Sequence, residues 1–547
     1  MRPVLVATAA VAGLAASAHA TVRTIDGSAN NLSDSSMGAA NTQLLRMMPA
    51  DYADGISAMG GASRPNPRDI SNAISAQTAP LGNSMDLTSM FWQWGQFIDH
   101  DFSLTGGGSE SVPIAVNTPG DPLGPSIHFN RSVFDPTTGT SAANPRQHMN
   151  EITHWLDGSM VYGSDNSTAT GLRANDGSGR LLVSADNMLP VNDGTLGVTM
   201  GNDGQFPDNT LRAAGDVRAN EVAGLTALHT VFVREHNRLA DQIKTDNPAM
   251  SGEDVYQQAR KLVGAQIQKI TYEEWLPSLL GSQSLDAYAG YDNSVDSSIA
   301  TEFSTAAFRI GHTMLNQEYL KLDQGGNVTS EGNLSLAASF FDPSVLTADN
   351  MSDIFRGLAW QEANEVDTQV IDEVRNMLFG PPGGGFGLDL LSLNLQRGRD
   401  HGLPDYNAMR AALGLGAATD FSDITSDPAL AAELASLYGD VDDVDIWIGL
   451  MSEDKLAGSG VGETMARILI DQFTRLRDGD RYFYLNDGSL TFEDLAFIEN
   501  STLADLLMRN TDISFLQGNV FVMGIPAPAT AALLGTGGLL ATRRRRR

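Results

Sequence analysis

The chain has 547 residues, no cysteine and a formal charge of −31, from 35 basic and 66 acidic side chains. Such a surface repels nucleic acid and anionic membrane. The missing thiols exclude disulfides, a cysteine nucleophile and thiolate ligation of a metal or cofactor. With 42% hydrophobic residues, a large core is available to a chain that has no disulfides to lean on.

In chain order, residues 1–20 read MRPVLVATAAVAGLAASAHA. One arginine, a small apolar run and the ending Ala18-His19-Ala20 predict a secretory signal peptide cut after Ala20. Residues 21–85, rich in Ser, Asn, Gly and Ala, are expected to form an extended arm over the surface. From residue 86 onward helical periodicity dominates, most clearly in EVAGLTALHTVFVREHNRLADQI, where Val222, Leu225, Leu228, Phe232 and Leu239 recur at helical spacing. Further helical patterns cover 253–274, 301–321, 350–378, 429–450 and 462–475. Long loops such as TGGGSESVPIAVNTPGDPLGP and GPPGGGFG lie between helical patterns. Few runs alternate as strands and no internal repeat is found. The expectation is a mainly α fold with long loops and little β structure.

The chain closes on IPAPATAALLGTGGLLATRRRRR. Its apolar part, Ala529 to Thr542, is short and Gly-rich for a membrane span. Five arginines held in the cytoplasm would still let it pause in an inner membrane. Losing both ends removes six arginines and takes the formal charge to −37, a balance that suits calcium.

Three stretches carry chemistry. FWQWGQFIDHDFS, residues 91–103, is apolar and aromatic yet holds Asp99, His100 and Asp101 in a row. Consecutive helical residues point about 100° apart, so each should face a different partner. Gln96 and His100, four apart, share a face, and a neutral imidazole beside an amide in an apolar pocket is a candidate proton shuttle. In THWLDGSMVYGSD, Thr153, Asp157 and Ser159 offer oxygen ligands and Trp155 its carbonyl, a hard donor set suited to calcium if another carboxylate joins; Asp101 is the candidate. In STAAFRIGHTML, His312 is a candidate haem-iron ligand and Arg309 a partner for an acidic cofactor group. Taken singly, each histidine reads better as a satisfied core residue. His229 and His236, seven apart without a Glu-x-x-His partner, read as helix packing.

Together these segments resemble the animal-type haem peroxidases, the peroxidase–cyclooxygenase superfamily that includes myeloperoxidase and peroxidasin. Five motifs stand in the family's order: WGQFIDHD (94–101), THWLDGSMVYGS (153–164), AGDVRANE…LHTVFVREHNRLA (214–240), FRIGHTM (308–314) and LNLQRGRDHGLPDYN (393–407). The resemblance implies one haem peroxidase domain over 86–520 and a haem b cofactor. It implies His100 and Arg218 as the distal pair, Gln96 near the halide and water site, and His312 as the iron ligand. Asn394 would accept from the other ring nitrogen of His312, and Arg309 is a weaker candidate for a propionate contact. Asp99 and Glu221 match the carboxylates that form haem esters, and Asp101, Thr153, Trp155, Asp157 and Ser159 match a calcium site. The implied activity is reduction of hydrogen peroxide and oxidation of halide, thiocyanate or phenolic donors through a ferryl haem.

Two departures narrow this. Val222 stands where myeloperoxidase has a haem-linked methionine, and Arg309 where cyclooxygenases and related fatty-acid dioxygenases have a radical tyrosine. A lipid dioxygenase and a non-catalytic, calcium-braced matrix or adhesion protein are the alternatives. The tail, 525–547, resembles the PEP-CTERM sorting signals of Gram-negative envelope proteins, although Pro526-Ala527-Pro528 lacks their glutamate. It implies export, processing by an exosortase-like enzyme and a place at the cell surface or outer envelope.

Overall fold

A computed structural model describes residues 22–204, 206–380 and 387–524 of the chain. The expected signal peptide, the sorting tail and most of the GPPGGGFG loop lie outside the described residues. Helices account for 39% of the structure and strands for 9%, the mainly α balance that the periodicity predicts. Among the described residues the strands are four short antiparallel pairs: Thr42–Gln43 with Met149–Asn150, Gly107–Ser111 with Asn130–Ser132, Ile114–Ala115 with Ser126–Ile127, and Glu318–Tyr319 with Leu334–Ser335. One continuous apolar core runs from Leu44 to Phe521, so the dispersed motifs converge in a single domain. Among the described residues no helix is long and apolar enough to cross a membrane.

The helices that position the site are α1 (Pro67–Ile74), α2 (Ser89–Phe102), α3 (Ala223–Asp246), α4 (Gly252–Ile270), α5 (Met351–Trp360), α6 (Leu390–Asp400) and α7 (Glu463–Asp478). Helix α2 is apolar nearly all round, with Met90, Phe91, Trp94, Phe97, Ile98 and Phe102 buried, and such a helix belongs inside a core. It packs against α3 and α5. Three of the longer predicted helices are broken. Over 301–321 the chain forms only Thr301–Thr305 and a 3-10 segment, Ala307–His312, kinked at Arg309 (φ −93°, ψ 16°). The 429–450 pattern splits into Pro428–Tyr438 and Ile446–Ser452 at Gly439, whose φ of +71° suits glycine alone. The 350–378 pattern likewise yields α5 and one turn, Asp372–Arg375.

The arm is tied down by buried charge. Arg68 on α1 is 1% exposed and bonds Asp121 and Asp389, both at 2.9 Å, while Arg23 pairs with Asp480 at 2.7 Å. Removing one partner of a buried pair leaves the other charge uncompensated, typically at about 3–5 kcal/mol. Arg68→Ala is therefore expected to lower unfolding stability by about 3–5 kcal/mol, read as a shift in the urea midpoint with unchanged slope.

Candidate active site

One cavity of about 440 Å³ brings together Gln96, Asp99 and His100 from α2, Arg218 and Glu221 from the segment before α3, and Arg309 and His312 from the 3-10 turn. Helix α2 fans its three consecutive polar residues as expected. Asp99 and His100 line the cavity, whereas Asp101 is fully buried and turns to the 157–160 loop. Arg218 and Glu221 are not helical. They belong to a tight turn closed by the Glu221 N–H on the Arg218 carbonyl at 2.9 Å, and its three-residue reach delivers both side chains to the cavity.

The distal side is organised by a residue that motif spacing did not single out, Asp216. Its carboxylate receives the Arg218 backbone N–H at 2.8 Å and the guanidinium at two points, both 2.9 Å. The Arg218 guanidinium holds the Asp216 carboxyl down at about 2 despite full burial, so Arg218 stays fixed and charged. Asp216 Oδ1 also lies 3.5 Å from His100 Nδ1, too far for a firm hydrogen bond. It is near enough to favour the tautomer with the proton on Nδ1, which leaves Nε2 basic. Burial and then Arg218 hold the His100 imidazolium well below the ordinary range, so the ring is a neutral base. Gln96 Nε2 donates to Glu221 Oε2 at 3.0 Å. Burial pushes Asp99 up to about 6 and Glu221 up to about 7. The signal for Asp216 was present as Asp-x-Arg within AGDVRANE, but spacing alone could not say where it points.

On the proximal side the 3-10 geometry stacks residues three apart, so Arg309 and His312 both reach Asn394 on α6. The Asn394 amide touches His312 Nδ1 at 2.9 Å, as expected, but the atom there is Nδ2. The amide oxygen is taken by Arg309 Nη1 at 2.9 Å, because a half-buried guanidinium claims the strongest acceptor within reach. With its oxygen on Arg309, Asn394 presents Nδ2 to His312 Nδ1, so accepting from the His312 ring requires the amide to turn over. Burial, with Arg309 adding to it, pushes His312 down to about 3, leaving a neutral imidazole suited to a metal.

These residues fit an acidic, flat, largely apolar cofactor. The walls include Phe91, Trp92, Ile310 and Leu393, and Arg309 projects a half-buried guanidinium that has no carboxylate hydrogen bond among the described residues. Burial and the neighbouring Arg397 push Arg309 down to about 10, and both arginines line the cavity. Two carboxylates on a haem rim would relieve that repulsion. Arg397 lies in the quoted LNLQRGRDHG motif yet received no role from the sequence.

Behind α2 the loop expected to bind calcium closes on Asp101. Gly158, at φ +83°, donates its N–H to Asp101 Oδ2 at 3.0 Å. The Ser159 hydroxyl bonds the Asp101 carbonyl at 2.6 Å, and Asp157 Oδ1 accepts from Thr153 at 3.2 Å and the Ser159 N–H at 3.0 Å. Trp155 sits in the same loop, its indole N–H on the Gly27 carbonyl at 2.9 Å. Asp157 Oδ2 is buried with no partner. Burial first and Asp157 second push Asp101 up to about 8. Two buried carboxylates with an orphaned oxygen fit a hard cation. The two helical histidines are core residues: His236 bridges Tyr162 and the Gly179 carbonyl, each at 2.9 Å, and His229 packs edge-on to Phe97.

One cavity lined by a neutral histidine, a carboxylate-braced arginine and a second, amide-backed histidine offers the donor set that a haem peroxidase needs. Residues 22–521 match the animal haem peroxidase family, and the chain belongs to that family; it is a peroxidase, an oxidoreductase of the haem-dependent class. It is 36% identical over 520 residues to peroxidase mlt-7 of Caenorhabditis elegans, covering 90% of this chain and 70% of that one. Its fold superposes on peroxidase A from Dictyostelium discoideum with a TM-score of 0.86 at 34% identity, over 92% of this chain and 99% of the other. Oryza sativa fatty acid alpha-dioxygenase shares the fold, with a TM-score of 0.77 at 22% identity over 92% and 88% of the two chains.

Proposed function

We propose that the protein reduces hydrogen peroxide with a haem held between His312 and the His100–Arg218 pair, and oxidises small donors: halide, thiocyanate or phenols. The observation that carries this is the single cavity holding a neutral histidine base, a carboxylate-braced arginine and a second neutral histidine backed by Asn394.

Haem, when bound, supplies an iron centre that takes up peroxide and stores its oxidising equivalents. The chain does the rest. His100 Nε2 accepts the first proton of hydrogen peroxide and returns it to the departing oxygen. Arg218, pinned by Asp216, offsets the negative charge that develops on that oxygen without reorganising. His312 would ligate the iron, with Asn394 fixing its ring plane, while Arg309 and Arg397 would meet the acidic rim. Asp99 and Glu221 are the carboxylates available for ester links to the haem. At position 309 an arginine bonded to Asn394 leaves no tyrosine for a lipid dioxygenase.

The test is an absorption spectrum of haem-loaded protein before and after one equivalent of hydrogen peroxide. A rapid change that reverses on adding bromide or a phenol is the expected result. A bound haem inert to peroxide would instead favour a matrix role without turnover.

Calcium is proposed for the Asp101–Asp157 loop as a brace behind His100. Asp101→Ala is expected to destabilise the calcium-loaded protein by about 2–3 kcal/mol, the scale of charge-assisted hydrogen bonds lost. With calcium chelated, the difference should shrink, because the same substitution also removes the repulsion between two buried carboxylates. Thermal unfolding with and without chelator reads both. The leader and the basic tail support export to a Gram-negative envelope, with cleavage at Ala20 and near Pro526. Mass analysis of the secreted chain's two ends tests that reading.

A further inference from the structure

A second pocket, of about 230 Å³, opens at the surface and is lined by Tyr272, Glu273, Leu276, Tyr288, Phe483 and Tyr484. It shares no residue with the haem cavity. Against the roughly 300–1,000 Å³ of pockets for drug-sized ligands, it suits a single aromatic ring. Leu485, 49% exposed, lies at its edge.

An unbroken series of aromatic contacts joins this pocket to the cavity. Trp275 lines the cavity, stacks on Phe91 at 4.8 Å between ring centres, and meets Phe473 at 5.9 Å. Phe473 meets Tyr272 at 6.0 Å, and Tyr272 meets Phe483 at 5.3 Å. Phe483 in turn touches Tyr288 and Tyr484, each at 4.9 Å. Trp275 and Tyr272 come from one π-helical turn, Thr271–Trp275, which interrupts the run from α4 to Leu280. The widened turn takes residues three apart off a common face, so one ring meets the cavity and the other the pocket. Such turns are frequent at functional sites.

The hydroxyls on this route differ in what they can do with a proton. Tyr272 donates to the Phe473 carbonyl at 2.8 Å, which is no base, and the Tyr288 hydroxyl is buried without a partner. Tyr484 alone among them donates to a carboxylate, Glu273 Oε1. A phenol losing an electron must also lose its proton, and only Tyr484 has a group ready to take it.

We propose that this pocket is a second donor site, where phenolic groups carried on molecules too bulky for the haem cavity are oxidised through Tyr484, the aromatic series from Phe483 to Trp275 bridging electron transfer to the cavity without itself losing a proton. The inference rests on the peroxidase reading, because hydrogen peroxide is the oxidant. Tyr484 gives one electron to the peroxide-oxidised centre and its proton to Glu273. A donor phenol then breaks its O–H bond, restoring the Tyr484 hydroxyl, and leaves as a phenoxyl radical. The proton on Glu273 goes on to water formation. Two such turns consume one hydrogen peroxide and two phenols and yield two waters and two phenoxyl radicals.

The test uses the full haem-loaded chain, hydrogen peroxide and two donors: iodide, which enters the cavity, and tyramine coupled to dextran, which does not. In Tyr484→Phe the ratio of kcat/KM for tyramine–dextran to that for iodide is expected to fall about tenfold or more. Glu273→Gln, which keeps an acceptor for the hydroxyl but removes the base, should lower the same ratio and serves if the first variant folds poorly. Rapid-freeze electron paramagnetic resonance with ring-deuterated tyrosine should show a tyrosyl signal that Tyr484→Phe loses. An unchanged ratio and an unchanged signal in both variants would overturn the surface site. A wild-type protein that oxidises neither donor would overturn the peroxidase reading beneath it.

Discussion

His312→Ala is expected to abolish tight haem uptake by the otherwise folded protein. The ring is neutral at any working pH, since burial and Arg309 hold it near 3, and it is anchored from behind by Asn394 at 2.9 Å. Removing it deletes the nitrogen ligand proposed for the iron. The loss should exceed the roughly 10–100-fold that follows when only a residue behind a ligand is removed. Asn394→Ala supplies that smaller figure as an internal comparison, and it also frees Arg309 from its present acceptor. Both are read by titrating the haem-free protein with haemin in the absence of peroxide, so that no ester link can hold the group. Uptake by His312→Ala equal to wild type would remove His312 from the iron and with it the proximal assignment.

His100→Ala should behave in the opposite way, keeping haem but reacting slowly with peroxide. General-base assistance by a positioned histidine contributes typically 10²–10⁴-fold, and a loss of about that size is expected in the bimolecular rate measured by stopped-flow absorbance. Glu221 is the substitute on the Nε2 side of the ring, with Oε2 3.9 Å from His100 Nε2. Its carboxyl is pushed up to about 7 by burial, so residual activity above that pH would be its signature. Arg218 should not be tested by simple truncation, because Asp216, 2% exposed, would lose its partner. Arg218→Lys keeps a charge while losing the two-point grip. A wild-type peroxide rate in His100→Ala would end the proton-shuttle assignment.

Much of the site is legible in the sequence. The run Asp99-His100-Asp101 on an apolar helix could only fan outward, and the structure sends the first two into the cavity and the third to the 157–160 loop. The 221–243 periodicity became α3, and the shortage of alternating runs became four short strand pairs. The arm was read as mere covering, yet α1 lies within it and Arg68 fastens it to Asp389 beside α6. Composition cannot reveal such a link, because a polar segment held by buried charge looks like a polar segment held by nothing. The helix expected over 301–321 failed for a related reason. Its apolar residues serve several partners in turn, and the kink at Arg309 lets both Arg309 and His312 meet Asn394.

The sequence by itself determined the inventory: which bases, cations and carboxylates the domain holds, their order, and, for neighbours on one helix, the faces they share. Local spacing carries that information because helix geometry is nearly constant. Only the tertiary structure decided which distant side chains are partners. Asp216 became the brace of Arg218, Arg309 took the Asn394 oxygen that His312 was expected to use, and Trp275, Phe473 and Tyr272 became a continuous aromatic path. The last two depend on packing between segments far apart in the chain, up to about two hundred residues, where burial strengthens every charge and hydrogen bond and no period in the chain records who will be adjacent. Asp216 and Arg218 are two apart, and it is their shared turn that the spacing does not reveal.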